Sequence, residues 1–458
     1  MDYSEFLESK THLSGNFGFD AHFLPEYLMD FQVEMVRWAV KKGRGALFED
    51  CGMGKAVQSL VWSQNIVEHT NKDILILTPL AVGHQMEKEG EKFGVDCKQS
   101  RDGKYTKKIV ITNYERLKHF DPSKFIGVVC DESSILKNFD GATKNAITDF
   151  MRKIPYRLLC TATAAPNDYH ELGTSSEALG EIGYMDMLSR FFKNQQNTCD
   201  TKKHWRAHGG PPQQWAFKKH AERDFWRWVS SWARAMRKPS DLGFDDGPFI
   251  LPDLYENTIE LEVTKPKPGR LFVEQAVGLA EQRHEMKETL KQRCEKVAYL
   301  VDHKEPFVCW CHFNNEGDLL EKLIPDAEQI HGRQSNDEKE EKLIAFANGE
   351  IRGIITKSKI AGFGLNWQHC CHTTMFPTHS FEQYYQSVRR FWRFGQTKPV
   401  TVDMVTTTGL NGIMRNLQRK TKQADKMFSS LVKYMGDSLR IKSKQYDNEK
   451  VEIPSWIA

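Results

Sequence analysis

The chain lacks any apolar run approaching the ~18 residues of a membrane-spanning helix, so no membrane partner is expected. Its first ten residues, Met1 to Lys10, carry two Glu and one Asp and have none of the apolar stretch of a secretory signal, so a cytoplasmic location is expected. A charge excess of one sign is also missing: 64 Lys and Arg face 61 Asp and Glu, for a net charge of +3. A nucleic-acid surface must then come from local patches and not from a global field. The 10 cysteines are scattered, and Cys130, Cys160 and Cys309 sit inside apolar runs, which fits reduced core thiols in a cytoplasmic protein. Cys309-Trp310-Cys311-His312 and Cys370-Cys371-His372 are poorly spaced for zinc, because neighbours on a strand point to opposite faces. No nuclease or methyltransferase pattern stands out.

What is present is a phosphate cradle. Gly45-Ala46-Leu47-Phe48 reads as a strand, Cys51-Gly52-Met53-Gly54-Lys55 as a glycine loop, and Ala56 to Ile66 as the helix after it. Loop N–H groups and a helix N-terminus attract anionic oxygens, and Lys55 adds a full charge. A second apolar run, Phe125 to Cys130, ends at Asp131-Glu132. One carboxylate at such a strand end can hold a nucleotide's metal, and its neighbour can orient a water. The pairing points to hydrolysis of a nucleoside triphosphate. The loop departs from the usual pattern at two places: Glu49 stands where a first Gly is common, and Ala56 where a hydroxyl follows the Lys.

At 458 residues the chain has room for roughly three domains of about 150 each. Residues 1–180 alternate short strands with helical stretches. Ile74 to Leu77 ends at Thr78-Pro79, Ile109 to Thr112 is another strand, and Arg157 to Cys160 ends at Thr161-Ala162-Thr163. This alternation predicts a parallel, doubly wound α/β sheet. Residues 181–255 differ: they hold Trp205, Trp215, Trp226, Trp228 and Trp232, many cationic residues and the turn Gly209-Gly210-Pro211-Pro212. They read as a basic, partly helical insertion or connector. Trp226, Trp228 and Trp232 read as helical core, and Trp205 and Trp215 as candidates for base stacking. A second α/β lobe spans 256–408, with strands at Pro306 to Trp310, Ile351 to Thr356 and Val400 to Val405. Residues 409–458 read as a basic helical tail carrying Arg415, Arg419, Lys420, Lys422 and Lys426.

Taken in order, these blocks resemble the superfamily-two helicases, and among them the Swi/Snf-like ATPases. Within that group the chain looks like the compact proteins that bacteriophages and prophages carry. Phe31-Gln32 resembles the adenine-reading glutamine segment, and Asp50 to Lys55 the phosphate loop. Asp131-Glu132-Ser133-Ser134 looks like the metal-and-water motif, and Thr161-Ala162-Thr163 like the motif coupling hydrolysis to motion. Gly362-Phe363-Gly364-Leu365-Asn366 is similar to the glycine motif facing the nucleotide. Gln386-Ser387-Val388-Arg389-Arg390-Phe391-Trp392-Arg393-Phe394-Gly395-Gln396 is similar to the arginine-finger motif, and its spacing is the most specific of all.

The resemblance implies two RecA-like P-loop NTPase lobes, a helical insertion and a helical tail. It implies ATP and Mg²⁺ as cofactors. Gln32, Gly52, Met53, Gly54, Lys55 and Gly364 would bind ATP, and Asp131 the metal. Glu132, Gln386, Arg390 and Arg393 would be catalytic. Ser134, Thr161 and Thr163 would couple hydrolysis to motion, and Thr78 and Thr112 would contact a nucleic-acid backbone. The expected activity is that of an ATP-dependent DNA translocase or helicase-like ATPase, with duplex DNA favoured over single strands. Two alternatives stand beside it. Ala56 motivates an ATP-gated nucleic-acid clamp with little turnover. The other is a motor subunit of a phage or restriction complex; with no nuclease or methyltransferase pattern in this chain, that role would need a partner, with replication, recombination or restriction proteins as the candidates.

Overall fold

The computed structural model describes residues 15–79, 82–195, 215–218, 220–262, 276, 278–361 and 366–444. Nine short runs of the first part alternate with helices. They are β1 (Arg44–Glu49), β2 (Asp73–Thr78), β3 (Cys97–Gln99), β4 (Ile109–Asn113), β5 (Phe125–Asp131), β6 (Tyr156–Thr161), β7 (Phe192–Asn194), β8 (Trp215–Phe217) and β9 (Ala233–Met236). Seven of them form one sheet in the order β3-β4-β2-β5-β6-β1-β9, and every pair in it is parallel. The second sheet is also parallel. Its strands are β10 (Leu254–Leu261), β11 (Phe307–Cys311), β12 (Ala327–Ile330), β13 (Gly353–Lys357), β14 (His372–Met375) and β15 (Val400–Thr407). Their order is β10-β15-β14-β11-β13-β12. The expected architecture of two parallel α/β lobes therefore holds. Among the described residues no helix is long and apolar enough to cross a membrane.

Strand periodicity explains why both sheets are buried on two sides. Leu75 and Leu77 of β2 face one core, with Phe48, Val128 and Leu159. Ile74 and Ile76 face the other, with Leu47, Val129 and Leu158. The helices Asp30–Lys42 and Lys55–Thr70 cover that second face, with Met35, Val36, Leu60 and Trp62 fully buried. In the second lobe Val308 and Trp310 face one core while Phe307 and Cys309 face the other. Cys130, Cys160, Cys309 and Cys370 are buried members of these cores.

The Trp-rich segment is not a separate connector throughout. The helix Glu222–Trp232 packs Trp226, Trp228 and Trp232, each no more than 2% exposed, into the first lobe's core. The chain then enters β9, which pairs with β1 from Ala46↔Ala233 to Glu49↔Met236. The first lobe thus reaches past the boundary expected at 180. Ala-Arg-Ala-Met carries no strand pattern of its own, so its state is set by the neighbour that pairs with it. Upstream of it, β7 and β8 form a small antiparallel ribbon.

The C-terminal helix, Asn411–Lys444, likewise differs from a free basic tail. Its Leu417 and Ala424 lie in the second lobe's core, and its Met427, Phe428 and Leu431 lie in the first lobe's. Thirty-four residues make a rod of about 51 Å, long enough to lie across both lobes. Several of its cations turn to internal partners. Lys420 donates to Asn167 Oδ1 and to the His379 carbonyl, both at 2.7 Å. Lys426 pairs with Glu222 at 2.5 Å, and Arg419 donates to Asn416 and Gln423. Asp425 of the same helix accepts from Arg237 at 2.8 Å.

Because Phe428 is buried in the first lobe's core, Phe428→Ala should cost about 3–5 kcal/mol of folding stability. Urea unfolding of the full chain measures this. A loss below ~1 kcal/mol would show that the helix does not complete that core.

Candidate functional site

Parallel sheets gather polar groups at the carboxyl ends of their strands, and this sheet does so at β1, β5 and β6. The loop after β1 is shaped by two glycines with left-handed φ, Gly52 at 92° and Gly54 at 88°. At Gly54 a Cβ would also lie 2.3 Å from Gln32 Nε2, so both backbone and space demand glycine. Gln32 donates to the Met53 carbonyl at 3.0 Å and accepts from the Met29 N–H at 3.1 Å. Gln58 donates to the same carbonyl at 3.1 Å and to the buried Glu49 carboxylate at 2.8 Å. Gln32 is therefore first a brace of the loop. Its amide keeps one further donor and one further acceptor position. Lys55 opens the helix and donates to the Glu49 and Asp50 carbonyls, at 2.8 and 3.0 Å.

Asp131 ends β5 and is buried. Tyr114 anchors it by donating its hydroxyl to the Asp131 carbonyl. Glu132 follows with φ 53° and ψ 53°, and with Asn71 it is one of two non-glycine residues in the left-handed region among the described residues. Such strain concentrates at functional positions, where it aims a side chain that a relaxed backbone would turn elsewhere. Thr161, at the end of β6, donates to Glu132 Oε2 at 3.3 Å and accepts from the Thr163 N–H at 3.1 Å. Ser134 is buried in the short 3₁₀ turn Ser133–Lys137.

The second lobe reaches this cradle through the helix Phe381–Val388 and the turn after it. A Cβ on Gly52 would lie 3.3 Å from the Phe394 backbone nitrogen and 3.9 Å from Arg393 Cβ, so that turn rests on the loop. Gln386, Arg389 and Arg390 are buried. Arg389 grips Asp50: its Nε donates to Oδ1 at 3.0 Å, and a terminal nitrogen donates to Oδ2. The Tyr385 hydroxyl donates to the same carboxylate. Lys137 pairs with Glu382, adding a second bridge between the lobes.

Buried charges of both signs crowd the site. Burial, and then the charge of Arg393, hold Arg390 down to about 10. Burial likewise lowers Arg393, whose Nε is a buried donor without a partner, as is Gln386 Nε2. Two buried guanidiniums that repel one another are relieved by phosphate oxygens. For Lys55, burial opposes the charge, but Cys51, Glu132, Glu49 and Asp50 outweigh it and raise the ammonium. Burial, and then the Glu132 charge, raise Asp131, while burial also raises Glu132. Two adjacent carboxylates pushed this way fit a hard divalent cation with oxygen ligands, such as Mg²⁺. Asp131 and Glu132 are the carboxylates that could hold it, and Ala56 offers no hydroxyl.

Of the residues singled out from sequence, the structure brings together Gln32, Gly52, Met53, Gly54, Lys55, Asp131, Glu132, Thr161 and Thr163 on one lobe. Gln386, Arg390 and Arg393 lie on the facing turn. Gly364 and Trp205 lie outside the described residues. Thr78 and Thr112 turn their hydroxyls to protein carbonyls. Both are fully buried; Thr112 donates to the Ser100 carbonyl at 2.8 Å, and Thr78 to the Thr112 carbonyl at 3.5 Å. They close the sheet's polar edge, which a strand-end Thr does as readily as binding a ligand. Trp215 is half-buried against the first lobe's core. Sequence reasoning passed over Asp50, Tyr385 and Arg389. Arg389 stands inside the quoted arginine block, but no pattern says which of three guanidiniums turns to the loop and which to the cradle.

Gly54→Ala should destabilise the fold by about 1–3 kcal/mol, because it forces a left-handed residue into Gln32. Denaturant unfolding measures this, and unchanged stability would mean that the loop readily takes another path.

Comparison with known proteins gives three results. Residues 284–395 match the family described as helicase conserved C-terminal domain. No curated protein matches the chain. Among solved structures, a Sulfolobus solfataricus SWI2/SNF2 ATPase core in complex with dsDNA is similar at 18% identity and a TM-score of 0.41, covering 90% of this chain and 96% of that one.

Proposed function

We propose that this chain is an ATP-dependent DNA translocase of helicase type, in which hydrolysis and lobe closure are one event. The observation that carries the reading is the seating of the arginine turn on the phosphate loop, within a cradle that also holds Lys55, Asp131 and Glu132. The helicase C-terminal match supports it, because it covers the segment that supplies the turn. In this reading the loop N–H groups and Lys55 bind the phosphates, and Gln32 meets the adenine edge with its remaining donor and acceptor. Asp131 holds Mg²⁺, which when bound draws charge from the phosphate oxygens. Glu132 orients the attacking water. Arg390 and Arg393 stabilise charge on the transferred phosphoryl group, so the site is complete only with the lobes together. Thr161 and Thr163 connect Glu132 to the first lobe's face, and Ser134 supports the turn beneath it. Duplex DNA is the favoured track. Phage origin, and service to a replication, recombination or restriction assembly, belong to the same proposal.

A second reading is favoured by one observation, the alanine at position 56. A metal short of a hydroxyl ligand suits a nucleotide-gated clamp that turns over slowly. Ala56→Thr separates the two. If the rest of the site is a working hydrolase, the added oxygen raises kcat. An unchanged or lower kcat would mean that the metal's shell is already completed another way.

The main reading is tested by a pair of variants and a tracking assay. Lys55→Ala should lose ATP binding. Glu132→Gln should bind ATP within about threefold of the parent and turn over ~10²-fold or more slowly. Equal ATP affinity in Lys55→Ala and the parent would sink the cradle assignment. The parent should displace a third strand from a DNA triplex in an ATP-dependent way, and raised salt should suppress it because the contacts are to phosphates. Forked-duplex unwinding without triplex displacement would overturn duplex tracking.

A further inference from the structure

Arg389 commits its guanidinium to protein groups from two lobes. Its Nε and one terminal nitrogen fork onto Asp50, and its other terminal nitrogen donates to the Trp392 carbonyl at 2.9 Å. It is 4% exposed and lies over the Trp392 and Tyr385 rings, at 4.8 and 5.7 Å from their centroids. Asp50 is equally committed. Its Oδ1 accepts from the Cys51 N–H at 2.6 Å, from Arg389 and from the Tyr385 hydroxyl. A buried pair so fully satisfied gives geometric definition more than net stability, because its desolvation is costly.

Its placement says what is being defined. The Asp50 carbonyl accepts from Lys55 Nζ, while the Asp50 carboxylate accepts from Arg389. One residue therefore touches both the phosphate-binding ammonium and the segment that carries Arg390 and Arg393. On the far side, Trp392 Nε1 donates to the Pro252 carbonyl at 2.6 Å, and the Trp367 N–H donates to the Arg390 carbonyl at 3.1 Å. The turn is fixed to its own lobe there and to the other lobe at Asp50.

We propose that Arg389 is a positioning residue: through its fork onto Asp50 it sets Arg390 and Arg393 against the phosphate loop, without itself reaching the phosphates. The proposal rests on the reading of this site as an ATP hydrolase shared by two lobes. Lys cannot replace Arg here, because a single ammonium cannot span both carboxylate oxygens and the Trp392 carbonyl at once. Misplacing a catalytic group by about 1 Å can cost ~10²-fold in rate.

The test is Arg389→Lys in the full chain, alone and combined with Arg390→Ala. Arg389→Lys should keep ATP affinity within about threefold and lower kcat ~10²-fold. In the Arg390→Ala background the same change should cost clearly less than it does alone, because one of the two groups it positions is gone. Losses that multiply, or a single variant with near-parental kcat, overturn the proposal. Tyr385→Phe removes one donor from Asp50 and keeps the ion pair. It is expected to lower kcat by a smaller factor in the same pattern, so it serves if Arg389→Lys folds poorly. Amide hydrogen exchange provides a readout that does not need turnover. Arg389→Lys should speed exchange in segments 46–60 and 384–396 together, although they belong to different lobes. If the parent hydrolyses no ATP but both segments loosen, the hydrolase reading falls and the positioning contact stands. If only 384–396 loosens, the positioning contact falls whatever the ATPase result.

Discussion

At the candidate site the two lobes meet through a buried contact between charges of opposite sign on different sheets. The carboxylate of Asp50 follows β1, and the guanidinium of Arg389 ends a helix of the second lobe. Each would be costly to bury alone, so the two lobes are held in an arrangement that keeps them together. That arrangement brings Arg390 and Arg393 to a loop whose own lobe already carries Lys55, Asp131 and Glu132.

The C-terminal helix is a further tie between the lobes. It places Leu417 and Ala424 in one core and Met427, Phe428 and Leu431 in the other. Lys420 and the Tyr169 hydroxyl add polar ties, the second donating to the Gln423 carbonyl at 3.1 Å. Relative movement of the lobes must therefore bend, slide or release this helix, and that limits the path open to them. The proposed translocase activity would need such a limit, because free hinging would let hydrolysis dissipate without displacement along a track.

Much of this was legible in the sequence, for identifiable reasons. Short apolar runs bounded by polar or turn residues are local patterns, so β1, β2, β4, β5, β6, β11, β13 and β15 could be read from them. The strained Glu132 and the brace of Gln32 on Met53 were reachable only as residue identities, not as geometry. What was not legible is tertiary. Ala233–Met236 becomes a strand only because β1 offers an edge. Thr78 and Thr112 look like ligand-facing hydroxyls, yet they turn to the Thr112 and Ser100 carbonyls. The tail at 409–458 reads only as basic and helical, and its sequence does not show that its cations meet Asn167, Glu222 and Gln423. Charge on a helix does not announce whether its partner is a nucleic acid or the rest of the chain.

The central claim is that the site is completed by closure of the lobes on DNA. The most direct measurement is the steady-state ATPase rate of the parent chain alone, with duplex DNA, with single-stranded DNA and with RNA, at fixed low salt. The account predicts slow hydrolysis alone and a kcat increase of an order of magnitude or more with duplex DNA, with KM for ATP changing far less. An ATPase rate indifferent to every nucleic acid would contradict it.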